Sequence, residues 1–355
     1  MEKGLLLVPD FTLFGLMQHA ASDNRERCYI IAAVDLAHNG ELSTAKKLID
    51  VAVESGCDAV KFQRRSVEHL VVQSVLDRPF VSFPEFGSTY REVFGRLELC
   101  EEEYASLRSY CAGRIDFVIA PLDLESLGSS LGLDADAYKV EPQCATDLPF
   151  LEALAQQPKR ILASVGTCSA REVAEIIHVL SDRELVLLYC VSSDPAPVCS
   201  LNLNAMAWLR QFDCPVGYSD TTDTSAMGAV ALALGATVVE KRVTLSRRAR
   251  GFNHAFSLEP EEMRRYVEDI RGVEQALRRQ PTQEVQPCEA FAHDEERKSI
   301  VAAADIDAGT ILKREMLACK APLRGLTPNF IPYLIGKKVV YDLKRDDPIT
   351  FGMIE

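Results

Sequence analysis

Residues 58–63 read DAVKFQ, a short apolar run that follows an aspartate and carries one lysine near its end. Comparable runs rich in Val, Ile, Leu and Ala recur along the chain without regular alternation of polar residues. Such runs are typical of parallel strands whose outer face is covered by helices. Eight of them are predicted as strands, over residues 29–34, 59–62, 116–121, 137–140, 160–164, 185–191, 215–219 and 238–242.

Amphipathic stretches separate the predicted strands. They predict helices over residues 42–55, 101–112, 148–156, 169–180, 224–234 and 260–279. Strand–helix units that recur roughly every 25–35 residues favour a closed (β/α)8 TIM barrel over an open doubly wound sheet. No GxGxxG sequence follows the first run, so a dinucleotide-binding sheet is not indicated. The predicted fold class is α/β, with the barrel over residues 1–279.

The C-terminal part of the chain has a different character. Residues 280–296 are polar and contain two prolines, which predicts a linker. Residues 297–355 contain short strand-like pieces at 299–302, 338–341 and 349–351, which indicate a small β-rich domain. A domain of this size has little core of its own and is expected to lean on the barrel or on another subunit.

Composition narrows the class of partner. The 355 residues carry a formal net charge of -13, which argues against nucleic acid or an anionic membrane surface as partner. The eleven cysteines are odd in number and form no CxxC pair, as expected for reduced thiols in the cytoplasm. The apolar stretch 4–17 is broken by Pro9 and Asp10, so a leading strand or plug under the barrel is preferred to a signal peptide.

One predicted connection is unusually long. Residues 64–100, after the second strand, exceed the usual length of a loop between a strand and a helix. Loops of that length often serve as lids or subunit contacts.

Three cationic residues lie at predicted strand ends. Active sites of βα barrels lie at the C-terminal ends of the strands, where Lys61, Lys139 and Arg242 are found. A lysine in that position needs an anionic partner. The partner is either a phosphate or carboxylate ligand, or an internal carboxylate such as Asp123 or Glu141.

For Arg242 the internal alternatives are Glu240 and Asp220. Ser164 and Ser219 end two further strands close to glycines, where hydroxyl and backbone N–H groups can donate to an anion. His38 and His254 are the two histidines near strand ends. The sequence contains no HExxH motif, no Cys/His set with metal spacing and no GxSxG motif.

Several strings of the chain resemble the N-acetylneuraminate (sialic acid) synthase family, which carries a C-terminal antifreeze-like (SAF) domain. They include HNG at 38–40, DAVKFQ at 58–63, GYSD at 217–220, SLEPE at 257–261 and SIVAA at 299–303. The resemblance extends from residue 29 to the end of the chain. It implies condensation of phosphoenolpyruvate with an aldose or amino-sugar, in nonulosonic acid or spore coat polysaccharide biosynthesis. It also implies a domain-swapped homodimer in which the C-terminal domain packs over the neighbouring barrel.

The resemblance also assigns residues. Lys61, Lys139, Ser164 and Ser219 match positions that hold phosphoenolpyruvate in the family. Further pocket positions are expected at Gln63, Asp220, Asn253 and Arg324.

The departures from the family pattern concern its divalent metal. Thr221 and Arg242 stand where the family has two metal-binding histidines. Threonine is a poor neutral ligand and a guanidinium has no lone pair to give. The sequence therefore predicts a chain with no metal or other cofactor.

Two functions remain open on these observations. In the first, the chain is a metal-free condensing enzyme: Arg242 stabilises the developing alkoxide, and His38 or His254 moves protons. In the second, it is a catalytically silent relative that binds a phosphorylated metabolite or an active paralogue. The first hypothesis requires the strand-end cations to face a ligand, and it loses its basis if each is paired with a carboxylate.

Overall fold

A computed structural model of the protein describes residues 27–278 and 283–355. The described residues fall into two compact units, within Met1–Gln280 and Pro281–Glu355. In the first unit eight parallel strands pair in chain order and close into a barrel. The strands are β1 (Tyr29–Ala33), β2 (Ala59–Arg64), β3 (Asp116–Pro121), β4 (Ala137–Val140), β5 (Arg160–Ser164), β6 (Leu185–Tyr189), β7 (Val216–Asp220) and β8 (Val238–Arg242). The predicted TIM barrel is confirmed, and the predicted strand limits differ from these by two residues at most.

Helices surround the barrel. They are α1 (Leu42–Glu54), α2 (Val67–Leu70), α3 (Gln73–Leu76), α4 (Tyr90–Leu97), α5 (Glu101–Cys111), α6 (Leu124–Ser130), α7 (Leu148–Ala155), α8 (Ala170–Leu180), α9 (Ala205–Leu209), α10 (Met227–Ala233) and α11 (Pro260–Leu277). The sequence analysis missed α2, α3, α4, α6 and α9. Each of them has eight residues or fewer, too short for a helical period to stand out.

The strand pleat divides the barrel interior into two layers. An apolar layer fills the barrel near the strand starts, formed by Ile31, Ala59, Val118, Ala137, Leu162, Val186, Leu188 and Val238. Side chains two residues apart on a strand point to the same face. Lys61, Lys139, Ser164 and Glu240 each follow a member of this layer by two residues. The fold therefore places these polar side chains inside the barrel, toward the C-terminal ends of the strands, which we call the barrel mouth.

The long connection after β2 is folded. It contains α2, α3 and α4, and Thr89 caps α4 by accepting a hydrogen bond from the backbone N–H of Glu92. Aromatic side chains of this segment pack around Phe94, whose ring centroid lies 5.1 Å from that of Phe252 in the loop after β8. The segment is thus anchored to a second loop at the barrel mouth. Its predicted role as a lid or subunit contact stays a prediction.

The second unit is built around one small apolar cluster. Its antiparallel strands are β9 (Ser299–Ala302) and β10 (Leu317–Lys320), and α12 (Ile331–Leu334) follows. The strands predicted over 338–341 and 349–351 are wrong, and β10 was missed. Residues 338–341 make only isolated bridges, Ile311 with Lys338 and Val339 with Ile354, because the segments turn away after one pairing, and residues 349–351 make none. Residues 283–296, predicted as a linker, group with this unit, and the Leu323 N–H donates to the Asp294 carbonyl oxygen over 3.0 Å.

Three further predictions concern membrane spans, the cysteines and the N-terminal segment. Across the described ranges, no helix combines the length and apolar character that crossing a bilayer requires. All eleven cysteines lie in these ranges and none forms a disulfide. The strand or plug predicted over residues 4–17 lies outside the described residues.

Candidate site at the barrel mouth

A cavity of about 250 Å³ opens at the barrel mouth. Its walls are formed by Asp35, Lys61, Gln63, Glu141, Pro142, Gln143, Cys190, Ser192, Asp194, Ser219, Asp220, Thr221, Glu240 and Arg242. Of the predicted site residues, the fold brings Lys61, Gln63, Ser219, Asp220 and Arg242 together in this lining. A larger cavity of about 610 Å³ lies at the opposite end of the barrel, at the N-terminal ends of the strands. Active sites of βα barrels lie at the C-terminal ends instead.

Both lysines of the mouth are buried in ion pairs. Lys61 Nζ donates to Asp35 Oδ1 over 2.5 Å and to Glu141 Oε1 over 2.6 Å. Lys139 Nζ donates to Glu240 Oε1 over 2.6 Å and to Glu141 Oε2 over 3.1 Å. Glu141 therefore bridges the two ammonium groups with its two oxygens.

Lys61 and Lys139 were predicted to face an anionic ligand, and the structure shows the alternative, an internal ion pair. The partner is Glu141 and not Asp123, whose carboxylate accepts from the Ser126 and Ser66 backbone N–H groups and caps α6. This is the arrangement that removes the basis of the metal-free condensation hypothesis.

Arg242 is paired as well. Its Nε lies 3.3 Å from Asp35 Oδ2, and its Nη1 contacts the Asp194 carboxylate. The predicted partners Glu240 and Asp220 are wrong, because Glu240 holds Lys139 while Asp220 lies 3.0 Å from Lys241 Nζ. We refer to Asp35, Lys61, Lys139, Glu141, Asp194, Glu240 and Arg242 as the ion network.

The sequence analysis did not assign Asp35 to the site. It lies two residues beyond the end of β1 with a φ of 48°, in a turn where the chain leaves the barrel. Its two oxygens join Lys61 to Arg242. A charged residue directly after an apolar strand is the same signal that identified Lys61, and it would have found Asp35.

Glu141 and Lys61 stay charged at neutral pH. Burial by itself would raise the pKa of Glu141, but the ammonium groups of Lys139 and Lys61 outweigh it and hold that pKa well below its usual range. Burial opposes the charge of Lys61 too, yet Asp35, Glu141 and Glu240 raise its pKa above the ordinary value. The network contains four carboxyl groups and three basic side chains, which gives a formal net charge of −1.

Two buried oxygens of the barrel interior have no hydrogen-bond partner. They are Glu240 Oε2 and Ser164 Oγ. Lys61 Nζ lies 3.9 Å from Glu240 Oε2, too far for a hydrogen bond. The other carboxylate oxygen, Glu240 Oε1, accepts from Ser219 Oγ over 2.8 Å as well as from Lys139. Buried polar atoms are rarely left unpaired, so these two oxygens indicate places for a bound group.

The two candidate histidines do not line the cavity. His38 is buried, and its Nδ1 accepts from the Gly40 N–H over 3.0 Å. Burial, helped by the charge of Arg65, lowers the His38 pKa to about 4, so the ring is neutral at pH 7. His254 contacts Thr244 Oγ1 at 2.7 Å through Nδ1. Both rings hold turns together, and their predicted role as proton carriers at the mouth has no support in this geometry.

The positions of the family's metal ligands do not fit a divalent ion. Thr221 Oγ1 donates to the Val191 carbonyl oxygen over 2.8 Å, and Arg242 is a cation already paired with two carboxylates. Within residues 27–278 and 283–355, no three His, Cys, Asp or Glu side chains converge as a metal site would require.

The remaining predicted pocket residues have other contacts. Asp220 lines the cavity, but its Oδ2 also accepts from the Tyr266 hydroxyl over 3.2 Å on the helix side of the barrel wall. Asn253 has a φ of 69° and uses its backbone carbonyl to accept from Ser257. Arg324 belongs to the second unit and pairs there with Glu295.

A chain of contacts connects the ion network to the largely buried carboxyl group of Glu98, whose side chain is 15% exposed. Gln63 Nε2 donates to Glu141 Oε1 over 3.2 Å, and Gln63 Oε1 accepts from Arg65 Nη2 over 2.9 Å. Arg65 Nε lies 3.3 Å from Glu98 Oε2. The Tyr104 hydroxyl lies 2.6 Å from Glu98 Oε1 and 2.7 Å from the Gln63 carbonyl oxygen. A phenol has one proton, so a protonated Glu98 lets both contacts be hydrogen bonds.

The pKa of Glu98 predicts a pH dependence of stability. Burial raises it from 4.5 to about 7, against the opposing effects of Arg65, Tyr104 and Arg64. The unfolded chain then binds fewer protons than the folded chain between these values, so this group lowers stability as pH rises from 4.5 to 7. The Gln side chain of Glu98→Gln is neutral at every pH. The free energy of unfolding of this variant should therefore rise by up to about 3 kcal/mol relative to wild type across that interval.

Urea unfolding at several pH values measures this difference. Glu268→Gln is the matched control, because it removes an exposed carboxyl group that is paired with Arg264. Its free energy of unfolding should show no such gain. Stability curves of Glu98→Gln and wild type that run parallel from pH 4.5 to 7 would contradict the assignment.

The fold and the mouth define the class: a βα barrel with a polar cavity at its strand ends and a small C-terminal domain. A NeuB family model matches residues 48–281, and a SAF domain model matches residues 297–355. An uncharacterized protein of Methanocaldococcus jannaschii is 35% identical over 91% of this chain and 94% of its own length. The human N-acetylneuraminate-9-phosphate synthase is 32% identical, covering 92% of this chain and 93% of that protein.

A solved structure shares the architecture. The N-acetylneuraminic acid (sialic acid) synthetase of Leptospira borgpetersenii, in complex with citrate, superposes with a TM-score of 0.65 at 26% identity. The match covers 75% of this chain and 90% of that one. The chain belongs to the NeuB family and carries a C-terminal SAF domain.

Proposed function

We propose that this chain is a member of the family that does not condense phosphoenolpyruvate with an aldose. It acts instead as a binding protein in nonulosonic acid or surface polysaccharide biosynthesis. The observation that carries the proposal is the ion network, in which every cation of the mouth is already held by a carboxylate. The chain is then a catalytically silent relative of the synthases, and its ligand is not a phosphorylated metabolite.

The charge of the mouth opposes phosphoenolpyruvate. A phosphate ester with a carboxylate carries more than one negative charge, and the network it would enter is itself negative by one charge. To reach Lys61 or Lys139, the ligand must displace a buried carboxylate. A displaced carboxylate of this kind is left without its partner, which costs several kcal/mol.

The same pairing weakens the proposed electrostatic role of Arg242. A donor stabilises a developing alkoxide when it is fixed and free to point at that oxygen. The Arg242 guanidinium is held by Asp35 and Asp194, whose negative charges offset its own. The size of the cavity adds to the case. At about 250 Å³ it lies below the ~300–1,000 Å³ typical of drug-sized ligand pockets, and a condensation needs room for two substrates.

The assembly remains part of the proposal. Tyr333, Tyr341 and Phe351 of the second unit expose 71%, 62% and 56% of their surface, and aromatic residues are enriched at protein–protein interfaces. A homodimer, or a pair with an active paralogue, would cover them. No step of the proposed function uses a metal ion or other cofactor.

Phosphate release tests the proposal. We expect the full chain to release no phosphate above background from phosphoenolpyruvate with N-acetylmannosamine or mannose, with or without manganese. An active synthase of the family, assayed in parallel, shows that the conditions support turnover. Phosphate release that depends on the sugar would overturn the proposal.

A further inference from the structure

Both ends of the long connection after β2 meet at one side chain. This connection, residues 64–100, which we call the long segment, leaves the barrel at the end of β2 and ends at the start of α5. Arg65 is the first residue after β2, and Glu98 is the first residue after α4. Arg65 Nε lies 3.3 Å from Glu98 Oε2, and 5% and 15% of the two side chains are exposed. A largely buried contact between these charges therefore closes the base of the long segment.

Glu98 also joins the long segment to the barrel wall. The Tyr104 hydroxyl, on α5, lies between Glu98 Oε1 and the Gln63 carbonyl oxygen at the end of β2. When Glu98 is protonated, its O–H can donate to the phenol oxygen while the phenol donates to the carbonyl oxygen. When Glu98 is ionised, the single phenolic proton faces two acceptors, and one of the two contacts loses its hydrogen bond. Loss of the proton therefore weakens the junction of β2, α5 and the long segment.

The titratable and charged groups that face Glu98 come from β2, from the start of the long segment and from α5. They are Arg64, Arg65 and Tyr104. Arg65 Nε has no hydrogen-bond partner, so its ion pair with Glu98 is made without a hydrogen bond. Burial accordingly outweighs both arginines and raises the pKa of Glu98 to about 7. The pKa of Tyr104 is raised well above 10, and the pKa of His38, which faces Arg65, is about 4, so neither accounts for a change between pH 5 and 7.5.

The far part of the long segment is attached to a different loop. The ring centroids of Phe83 and Phe94 lie 4.9 and 5.1 Å from that of Phe252, in the loop after β8. Phenyl rings carry no titratable group, so this attachment does not itself depend on pH. Glu85 pairs with Arg250 in the same loop, but 36% and 72% of these side chains are exposed, so the pair contributes little. The base of the long segment is therefore the place where a proton can act.

We propose that Glu98 acts as a pH-sensitive latch, whose protonated form holds the base of the long segment against the barrel and whose ionised form favours local release of residues 66–97. In the released state Glu98 faces water and holds its proton less tightly than in the latched state. Release therefore expels a proton, and a rise in pH favours it. The inference concerns the long segment and not the ligand of the mouth, so it is independent of the proposed function.

Hydrogen exchange of the full chain at pH 5 and pH 7.5, followed by mass spectrometry, tests the latch. The reporting amides are bonded within the long segment, where the Phe80 N–H donates to the Ser88 carbonyl oxygen and the Tyr90 N–H donates to the Arg78 carbonyl oxygen. Their protection factors, corrected for the intrinsic effect of pH on exchange, should fall in wild type by about 10- to 50-fold between the two pH values. In Glu98→Gln, which is neutral at both, they should not change.

Two controls separate the latch from other effects of pH. Glu68→Gln removes an exposed carboxyl group of the same segment, paired with Arg91, and should keep the pH dependence of wild type. Amides of the barrel strands β3 and β5 should stay better protected than those of the long segment at both pH values. Wild-type protection that does not change with pH overturns the inference, and so does an equal change in Glu98→Gln. Exchange of the long segment in step with the strands also overturns it, because the whole barrel would then be unfolding.

Cleavage by trypsin at pH 7.5 measures the release without a change of pH. Arg91 and Arg96 lie in α4, so trypsin reaches the bonds after them only when the helix has left its place. Site-resolved mass spectrometry should show these bonds cleaved faster in wild type than in Glu98→Gln by about tenfold or more. Glu68→Gln should be cleaved at least as fast as wild type. Equal rates at these bonds in wild type and Glu98→Gln would show that the charge of Glu98 does not release the long segment, and would overturn the inference.

Discussion

Lys61→Met is expected to lower the free energy of unfolding of the barrel by about 3–5 kcal/mol, because it removes one partner from a buried set of ion pairs. The Lys61 side chain is 1% exposed and lies within 2.6 Å of both Asp35 and Glu141. Without the ammonium group, Asp35 keeps Arg242 and Glu141 keeps Lys139, so the lower end of the range is expected. The melting temperature should fall by about 6–20 °C for a domain of this size.

Differential scanning calorimetry of the full chain measures the change. Lys159→Met is the control, since it removes a lysine 2.6 Å from the exposed Asp134 carboxylate and should cost about 1 kcal/mol or less. A Lys61→Met protein as stable as wild type would show that the pairs contribute nothing to folding. The lysine would then be free to serve a ligand, as the sequence alone suggested.

Combining Asp35→Asn with Glu141→Gln is expected to turn the mouth into an anion site. The two changes keep the shape of the side chains and move the network from −1 to +1. Lys61 then retains only Glu240 at 3.9 Å, and its N–H groups become available. Inorganic phosphate and phosphoenolpyruvate should bind tighter than to wild type by about tenfold or more. The measurements are calorimetric titration and the rise in melting temperature with added phosphate.

A second double variant controls for net charge. Asp134→Asn with Glu184→Gln removes two exposed carboxylates, paired with Lys159 and Arg160 away from the mouth. It shifts the charge of the chain by the same amount and should gain no phosphate affinity. If the folded Asp35→Asn, Glu141→Gln protein still fails to bind phosphate, the two carboxylates are not what prevents anions from binding at the mouth.

The strands were predictable because each carries its own local signal. The limits predicted for β3, β4, β5 and β8 coincide with those observed, since a strand covered by helices is apolar along its whole length. The same signal failed in the second unit, where β10 was missed, residues 338–341 make only isolated bridges and residues 349–351 make none. There the pairings are too short for a pattern of period two to repeat.

Only part of the candidate site was located from the sequence, and the pairing of its cations was not. Lys61, Gln63, Ser219 and Arg242 do meet at one cavity, as strand-end positions in a barrel must. His38 and His254, each in a turn near a strand end, do not reach it. Proximity along the chain to a strand end does not fix where a side chain in a turn points.

The sequence by itself determined the α/β barrel, the small C-terminal domain and the end of the barrel at which polar residues collect, because periodicity and strand order act over short distances. Only the tertiary structure decided that Lys61 and Lys139 are neutralised by internal carboxylates. Barrel closure brings Asp35, Glu141 and Glu240 from three separate strand ends to the same two ammonium groups. Ion pairs between residues up to 207 positions apart leave no trace in local sequence, since Coulomb attraction depends on distance in space.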